Sequence, residues 1–254
     1  MLIPNRSKRL FDERNVDCPA GLKTSSAYDA ILFEEMGKPS RGVMEVTVIC
    51  SLNFKDGKDG AGAALTWSQK EKTDFMTNFR DVCTAIWNEK FRITTTSTAA
   101  VVTDVGVIFN VIPSENMSTF SHSHWNTNVT KVPSNWVVSS VGGGGGGFCW
   151  NGSSTLDSND FRAETKGGPN TQRDAPHEFG HMLGNRDEYP AAKDNLLWLS
   201  DTDSIMYWGE TVRERHYAMF AAWLTKQHRD LAIKAKKSIV FKVNGTTTID
   251  NGNL

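Results

Sequence analysis

The chain lacks any run of apolar residues approaching the ~18 needed for a membrane span. Its opening, Met1-Leu2-Ile3-Pro4-Asn5-Arg6-Ser7-Lys8-Arg9-Leu10, contains no apolar core of about seven residues, so it does not read as a secretory signal peptide. Nor is there an excess of charge. Lys and Arg number 28 against 29 Asp and Glu, a net charge of −1, and their scatter offers no electrostatic footprint for nucleic acid. The Lys226 to Lys237 cluster reads as the solvated face of a terminal helix. Cysteine is sparse: Cys18, Cys50, Cys83 and Cys149 show no C-x-x-C spacing, and their three alternative pairings stay open. The six glycines from Gly142 to Gly147 lack the lysine and spacing of a phosphate loop and read as a flexible connection. These absences predict a soluble protein without a membrane span. It is expected in the cytoplasm, or exported by a non-classical or injection route.

What is present is concentrated between His177 and Tyr189, in the sequence HEFGHMLGNRDEY. Residues four apart share a helix face, so His177 and His181 can direct two imidazoles at one ion, with Glu178 beside the vacant coordination position. Gly184 can enter the left-handed region and stop the helix, which lets Asp187 return as third ligand. Three protein ligands leave one position for water, whose pKa zinc lowers from 15.7 towards ~7. Glu178 is then placed to take that water's proton and pass it to a leaving amine. Pro176 fits only the first helical turn, which predicts Asp174 as the N-cap.

His177, Glu178, His181, Gly184 and Asp187 resemble the H-E-x-x-H-x-x-G-x-x-H/D signature of the metzincin metallopeptidases. Ser204-Ile205-Met206-Tyr207-Trp208 looks like that clan's Met-turn, whose methionine forms a soft apolar floor under the metal. An aspartate as third ligand is similar to snapalysin-like enzymes, and Asp187-Glu188-Tyr189 to IgA-peptidase-like bacterial metallopeptidases. The resemblance covers about residues 171–224. It implies one catalytic Zn2+ and a protein or peptide substrate. Astacin-like and serralysin-like members carry a tyrosine two places after the methionine; here Trp208 stands there and the tyrosine is Tyr207. Tyr207, Tyr189 and His216 are the candidates for a supporting or transition-state role. Rival third ligands are Glu210 or Glu214, in a thermolysin-like arrangement, or Glu188.

The order of elements predicts an α+β, zincin-like (metzincin) fold: a twisted mixed β-sheet, a long backing helix, a metal-binding helix and a C-terminal helix. Residues 1–41 read as an N-terminal extension. Residues 42–254 read as a single catalytic domain, its upper part about 42–184 and lower part about 185–254. Met44, Val46, Val48 and Cys50 form the apolar set of a strand over Gly42 to Phe54. Ser68 and Glu71 make a capping box for an amphipathic helix over about 69–89, with Cys83 on its apolar face. Strands are expected over about 91–97 and 103–112, a helix over about 212–230 with His216 on its apolar face, and a hairpin around Asn244-Gly245. The substrate-pairing edge strand has two candidates, Thr119–Asn126 and Trp136–Val141. His122 and His124 read as polar surface, the alternatives being a second metal or a cleft lining. Cys18 reads as an ordinary cysteine; the sharper alternative is a thiolate blocking the metal, as in matrixin proenzymes.

The function expected is a zinc-dependent endopeptidase, in one version a secreted or injected bacterial toxin or effector with a delivery-system or immunity partner. The alternatives are a zinc amidase acting on cell-wall or other non-protein amides, and a non-catalytic zinc-stabilised binding module.

Overall fold

The computed structural model describes residues 6–17, 27–115, 123–133, 139–142, 152–165, 170–190 and 196–243. Its strands in chain order are β1 (Arg6–Val16), β2 (Tyr28–Glu35), β3 (Arg41–Lys55), β4 (Gly57–Lys58), β5 (Ala64–Leu65), β6 (Arg92–Thr94) and β7 (Asp104–Glu115). They continue as β8 (Trp125–Thr130), β9 (Ser140–Gly142), β10 (Gly152–Asp157), β11 (Glu164–Thr165), β12 (Thr171–Gln172) and β13 (Lys242–Val243). The helices are α1 (Gln69–Trp87), α2 (Asp174–Met182), α3 (Ala218–Gln227) and α4 (Arg229–Ala235). The fold is therefore a mixed α+β one.

The sheet is organised around β3. Met44, Val46, Val48 and Cys50 are fully buried, which matches the apolar set of the alternating pattern. One edge of β3 runs parallel to β7 from Arg41↔Asp104 to Leu52↔Glu115. Its other edge is shared, first with antiparallel β2 and then, from Cys50↔Trp125 onward, with parallel β8. β10 lies parallel to β8, and β9 closes that side antiparallel to β10. On the opposite side β6 lies antiparallel to β7 and β13 antiparallel to β6, completing a nine-stranded mixed sheet.

α1 begins as its sequence dictates. Ser68 Oγ accepts from the Glu71 amide, and the Glu71 carboxylate accepts from the Ser68 amide at 2.8 Å. The buried face of α1 is Phe75, Phe79, Cys83 and Trp87, and it covers β7 and α2. Phe79 and Trp87 each stack edge-on against Phe179 of α2, with ring centroids 6.3 Å apart. Burial of each such ring contributes ~1.5–3 kcal/mol.

Several expectations are corrected. Residues set apart as an N-terminal extension supply β1 and β2 of the main sheet, where Tyr28, Ala30 and Leu32 are buried. The C-terminal helix is broken: a 3-10 turn at Glu214–Tyr217 precedes α3, and α4 starts anew after His228. β13 pairs with β6, and the second strand of the expected hairpin lies outside the described residues. Of the edge candidates, the first ends in β8, inside the sheet, whereas the second runs into β9 at its edge. His124 is fully buried, contrary to a surface reading: its Nδ1 accepts from the Ile49 amide at 2.9 Å and its Nε2 lies 3.2 Å from Asp29. His122, Cys18, Cys149 and Gly143 to Gly147 lie outside the described residues. Among the described residues, no helix is long and apolar enough to cross a membrane.

Candidate metal centre

α2 is short because both of its ends are fixed by specific hydrogen bonds. Arg173, not Asp174, is the N-cap, and it makes no side-chain cap bond. The cap is supplied from elsewhere: the Ala175 amide donates to the Asp160 carbonyl at 3.1 Å, while Asp174 enters the first turn, where a carboxylate suits the helix dipole. Pro176 stands third in the helix, where its missing N–H leaves no bond unmade. At the other end Gly184 has φ +100°. The Gly184 amide donates to the His181 carbonyl at 2.8 Å and the Asn185 amide to the Gly180 carbonyl at 3.0 Å, the two bonds of a Schellman stop.

This frame brings His177, His181 and Asp187 together, one ligand atom from each lying within 4.8 Å of the others. Asp187 Oδ1 is 3.3 Å from His177 Nε2 and 3.1 Å from His181 Nε2. The rings are nearly perpendicular, at 89°. Each ring's other nitrogen faces a backbone carbonyl: His177 Nδ1 donates to Ile205 at 2.6 Å and His181 Nδ1 to Asn185 at 2.7 Å. With the protons on Nδ1, both Nε2 atoms present lone pairs to the Asp187 oxygen. Three electron-rich atoms thus converge with no hydrogen between them. Asp187 Oδ1 and Glu178 Oε2 are both buried without a hydrogen-bond donor. A cation satisfies that arrangement, and two imidazoles with one carboxylate are a donor set that zinc accepts.

Electrostatics carry the same signature. Burial opposes the His177 cation, but the facing carboxylates of Asp187 and Glu178 raise its pKa. Burial likewise opposes the Asp187 anion, yet His177 and His181 hold its carboxyl below the usual range. Glu178, almost fully buried, is pushed upward by desolvation against the pull of the two histidines. A carboxylate raised towards neutrality is a better general base near pH 7.

Asp187 is held on two sides. Tyr189 donates its hydroxyl to Oδ2 at 2.9 Å, and the neighbouring Glu188 amide donates to the Met206 carbonyl at 2.9 Å. Glu188 itself is not a ligand here. Its carboxylate is gripped by Arg215 at 2.6 and 2.7 Å and lies 3.2 Å from His216 Nε2. His216 Nδ1 accepts from the Arg213 amide at 3.0 Å, so its Nε2 carries the proton that faces Glu188. His216 therefore holds Glu188, next to Asp187, and does not reach the cluster itself. Glu210 forms a two-pronged ion pair with Arg173 at 2.6 and 2.7 Å, and neither it nor Glu214 joins the cluster.

The turn from Ser204 to Gly209 lies against α2. The Tyr207 and Gly209 amides both donate to the Ser204 carbonyl, at 2.9 and 3.0 Å. Met206 is fully buried, and its Sδ occupies the space where a side chain at Gly180 would begin. Tyr207 is buried against Trp208, ring centroids 4.8 Å apart. Two contributors had no local signal in the sequence. Arg215 is recognisable only through its partners, and buried Gln172 donates to three carbonyls of the turn. Comparison with protein-family models, curated proteins and solved structures finds no match.

Proposed function

We propose that this chain is a zinc-dependent endopeptidase of metzincin type. The observation that carries the reading is the convergence of His177 Nε2, His181 Nε2 and Asp187 Oδ1 beside a buried carboxylate that has no donor of its own. His177, His181 and Asp187 would hold the ion, and Met206 would floor the site. A zinc ion bound there would supply Lewis acidity towards the scissile carbonyl and towards water. Glu178 takes one proton from the attacking water as its oxygen bonds to the carbonyl carbon. The same carboxyl then delivers that proton to the departing nitrogen as the C–N bond breaks, leaving an amine and a carboxylic acid that releases its remaining proton to solvent. The burial that raises the Glu178 pKa suits it to both roles. β9, at the antiparallel edge of the sheet, is the segment proposed to pair with extended substrate backbone.

The test is metal content by mass spectrometry, paired with cleavage of an unfolded protein by wild type and Glu178→Ala. One zinc in both proteins with cleavage only in wild type is the expected result. Equal cleavage by Glu178→Ala would remove Glu178 from the mechanism, and wild type free of zinc after zinc incubation would overturn the metal reading.

A further inference from the structure

Gln172 lies in β12, five residues before His177, and is almost completely buried. Its Nε2 is 2.7 Å from the Ile205 carbonyl, 3.0 Å from that of Gly209 and 3.3 Å from that of Tyr207. Only an amide NH2 can face three carbonyl oxygens, so the chemistry fixes which way the side chain is turned. The Ile205 carbonyl is also the acceptor of His177 Nδ1, at 2.6 Å. Gln172 and His177 thus fill both lone pairs of one oxygen.

We infer that Gln172 is a positioning residue of the metal centre: it pins the Ile205 carbonyl where that oxygen holds His177 as the Nδ1–H tautomer, leaving Nε2 open for the ion. The same NH2 gathers three carbonyls from consecutive alternate positions of the turn, Ile205, Tyr207 and Gly209, so the methionine between them is placed by the group that orients the ligand. A carbonyl free to turn away would leave His177 able to protonate either nitrogen, and the tautomer protonated at Nε2 cannot ligate through it. The tautomer part of this inference stands on hydrogen bonds alone. Its consequence for zinc rests on the metal reading proposed above.

The experiment compares wild type, Gln172→Met, Gln172→Glu and Phe241→Leu. The last is a fully buried site away from the turn and reports general loss of core packing. Nitrogen-15 NMR of the metal-free proteins above the imidazole titration range reads the His177 tautomer, and chelator competition reads zinc affinity. Wild type is expected to be protonated at Nδ1, and Gln172→Met to populate both tautomers and bind zinc about 10–100-fold more weakly. Gln172→Glu, although closer in shape, is expected to be worse than Gln172→Met, because it sets a carboxylate against three carbonyl oxygens. Phe241→Leu should leave both readouts at wild-type values. An unchanged tautomer in Gln172→Met, or the same loss in Phe241→Leu, would overturn the inference. Should the Gln172 variants not fold, wild type decides it: a through-hydrogen-bond coupling between the Gln172 amide and the Ile205 carbonyl is expected, and free-rate exchange of the Gln172 amide protons would overturn it. If wild type takes up no zinc, the metal reading fails while the tautomer comparison still judges Gln172.

Discussion

Tyr189 donates its hydroxyl to Asp187 Oδ2 at 2.9 Å, leaving Oδ1 as the oxygen that faces the two histidines. One oxygen of the carboxylate is thus supported and the other is turned to the histidines. Tyr189→Phe removes the support without changing the shape of the ring. It is expected to weaken zinc binding by about 10–100-fold, as loss of a group that orients a ligand commonly does. Chelator competition measures this, and an unchanged affinity would show that Asp187 is positioned by its backbone alone.

Gly180→Ala offers a test in which two ordinary rules disagree. In a helix interior alanine is favoured over glycine by ~1 kcal/mol. Here an added methyl would meet Met206 Sδ and come within 2.8 Å of the Trp87 ring. Overpacking costs ~1–3 kcal/mol, so the substitution should destabilise the protein. Urea denaturation gives the sign. A stabilised variant would mean that the turn and α2 are less closely packed than described.

Glu188 sets an acid dependence. Burial works against its charge, but Arg215, His216 and Ser204 bring its pKa down to about 2, against ~4.3 for a free glutamate. The folded value lies below the unfolded one, so this group stabilises the fold above the unfolded pKa, and the contribution is lost as pH falls towards the folded one. In metal-free protein, Glu188→Gln should be less stable than wild type at pH 7 by about 3 kcal/mol, from a shift of roughly two units. The gap should close between about pH 5 and pH 2. Denaturation curves across that range check it, and a gap independent of pH would place the effect in packing.

Ser68→Ala should cost about 1 kcal/mol by freeing the Glu71 amide at the start of α1. Glu71 also reaches Lys131 at 2.7 and 2.8 Å, so Glu71→Gln tests the cap separately from that exposed pair. Thermal unfolding measures both. A neutral Ser68→Ala would mean that α1 is held by its buried face alone.

The parts of this molecule legible in its sequence are those made by neighbours along the chain. The His177 and His181 spacing, the Gly184 stop and the Ser68–Glu71 cap each join residues a few positions apart. β3 was legible because one face is wholly apolar. β1 was not, and its register shows why: irregularities between Arg6 and Lys8, Arg9 and Phe11, and Glu13 and Val16 put any two-residue alternation out of phase. The break between α3 and α4 has no proline or glycine to announce it. It falls at His228, whose ring sits between Phe11 and Phe241 at 4.9 and 4.8 Å, partners remote in sequence. His124 is hidden for the same reason, since its acceptor and donor partners come from β3 and β2. Arg215 and Gln172 read as ordinary polar residues until the carboxylate and carbonyls they serve are brought to them.

Glu13 of β1 accepts from Trp223 Nε1 at 2.9 Å and Gln227 Nε2 at 2.7 Å, and pairs with Lys226 at 2.8 Å. The first strand and the third helix are thereby buckled together, with the His177–Asp187 segment enclosed in the loop of chain between them. Trimming residues 1–41 would open that buckle and strip β2 from the edge of β3. A shortened version would surrender the brace of the very helix that follows the Ser204–Gly209 turn.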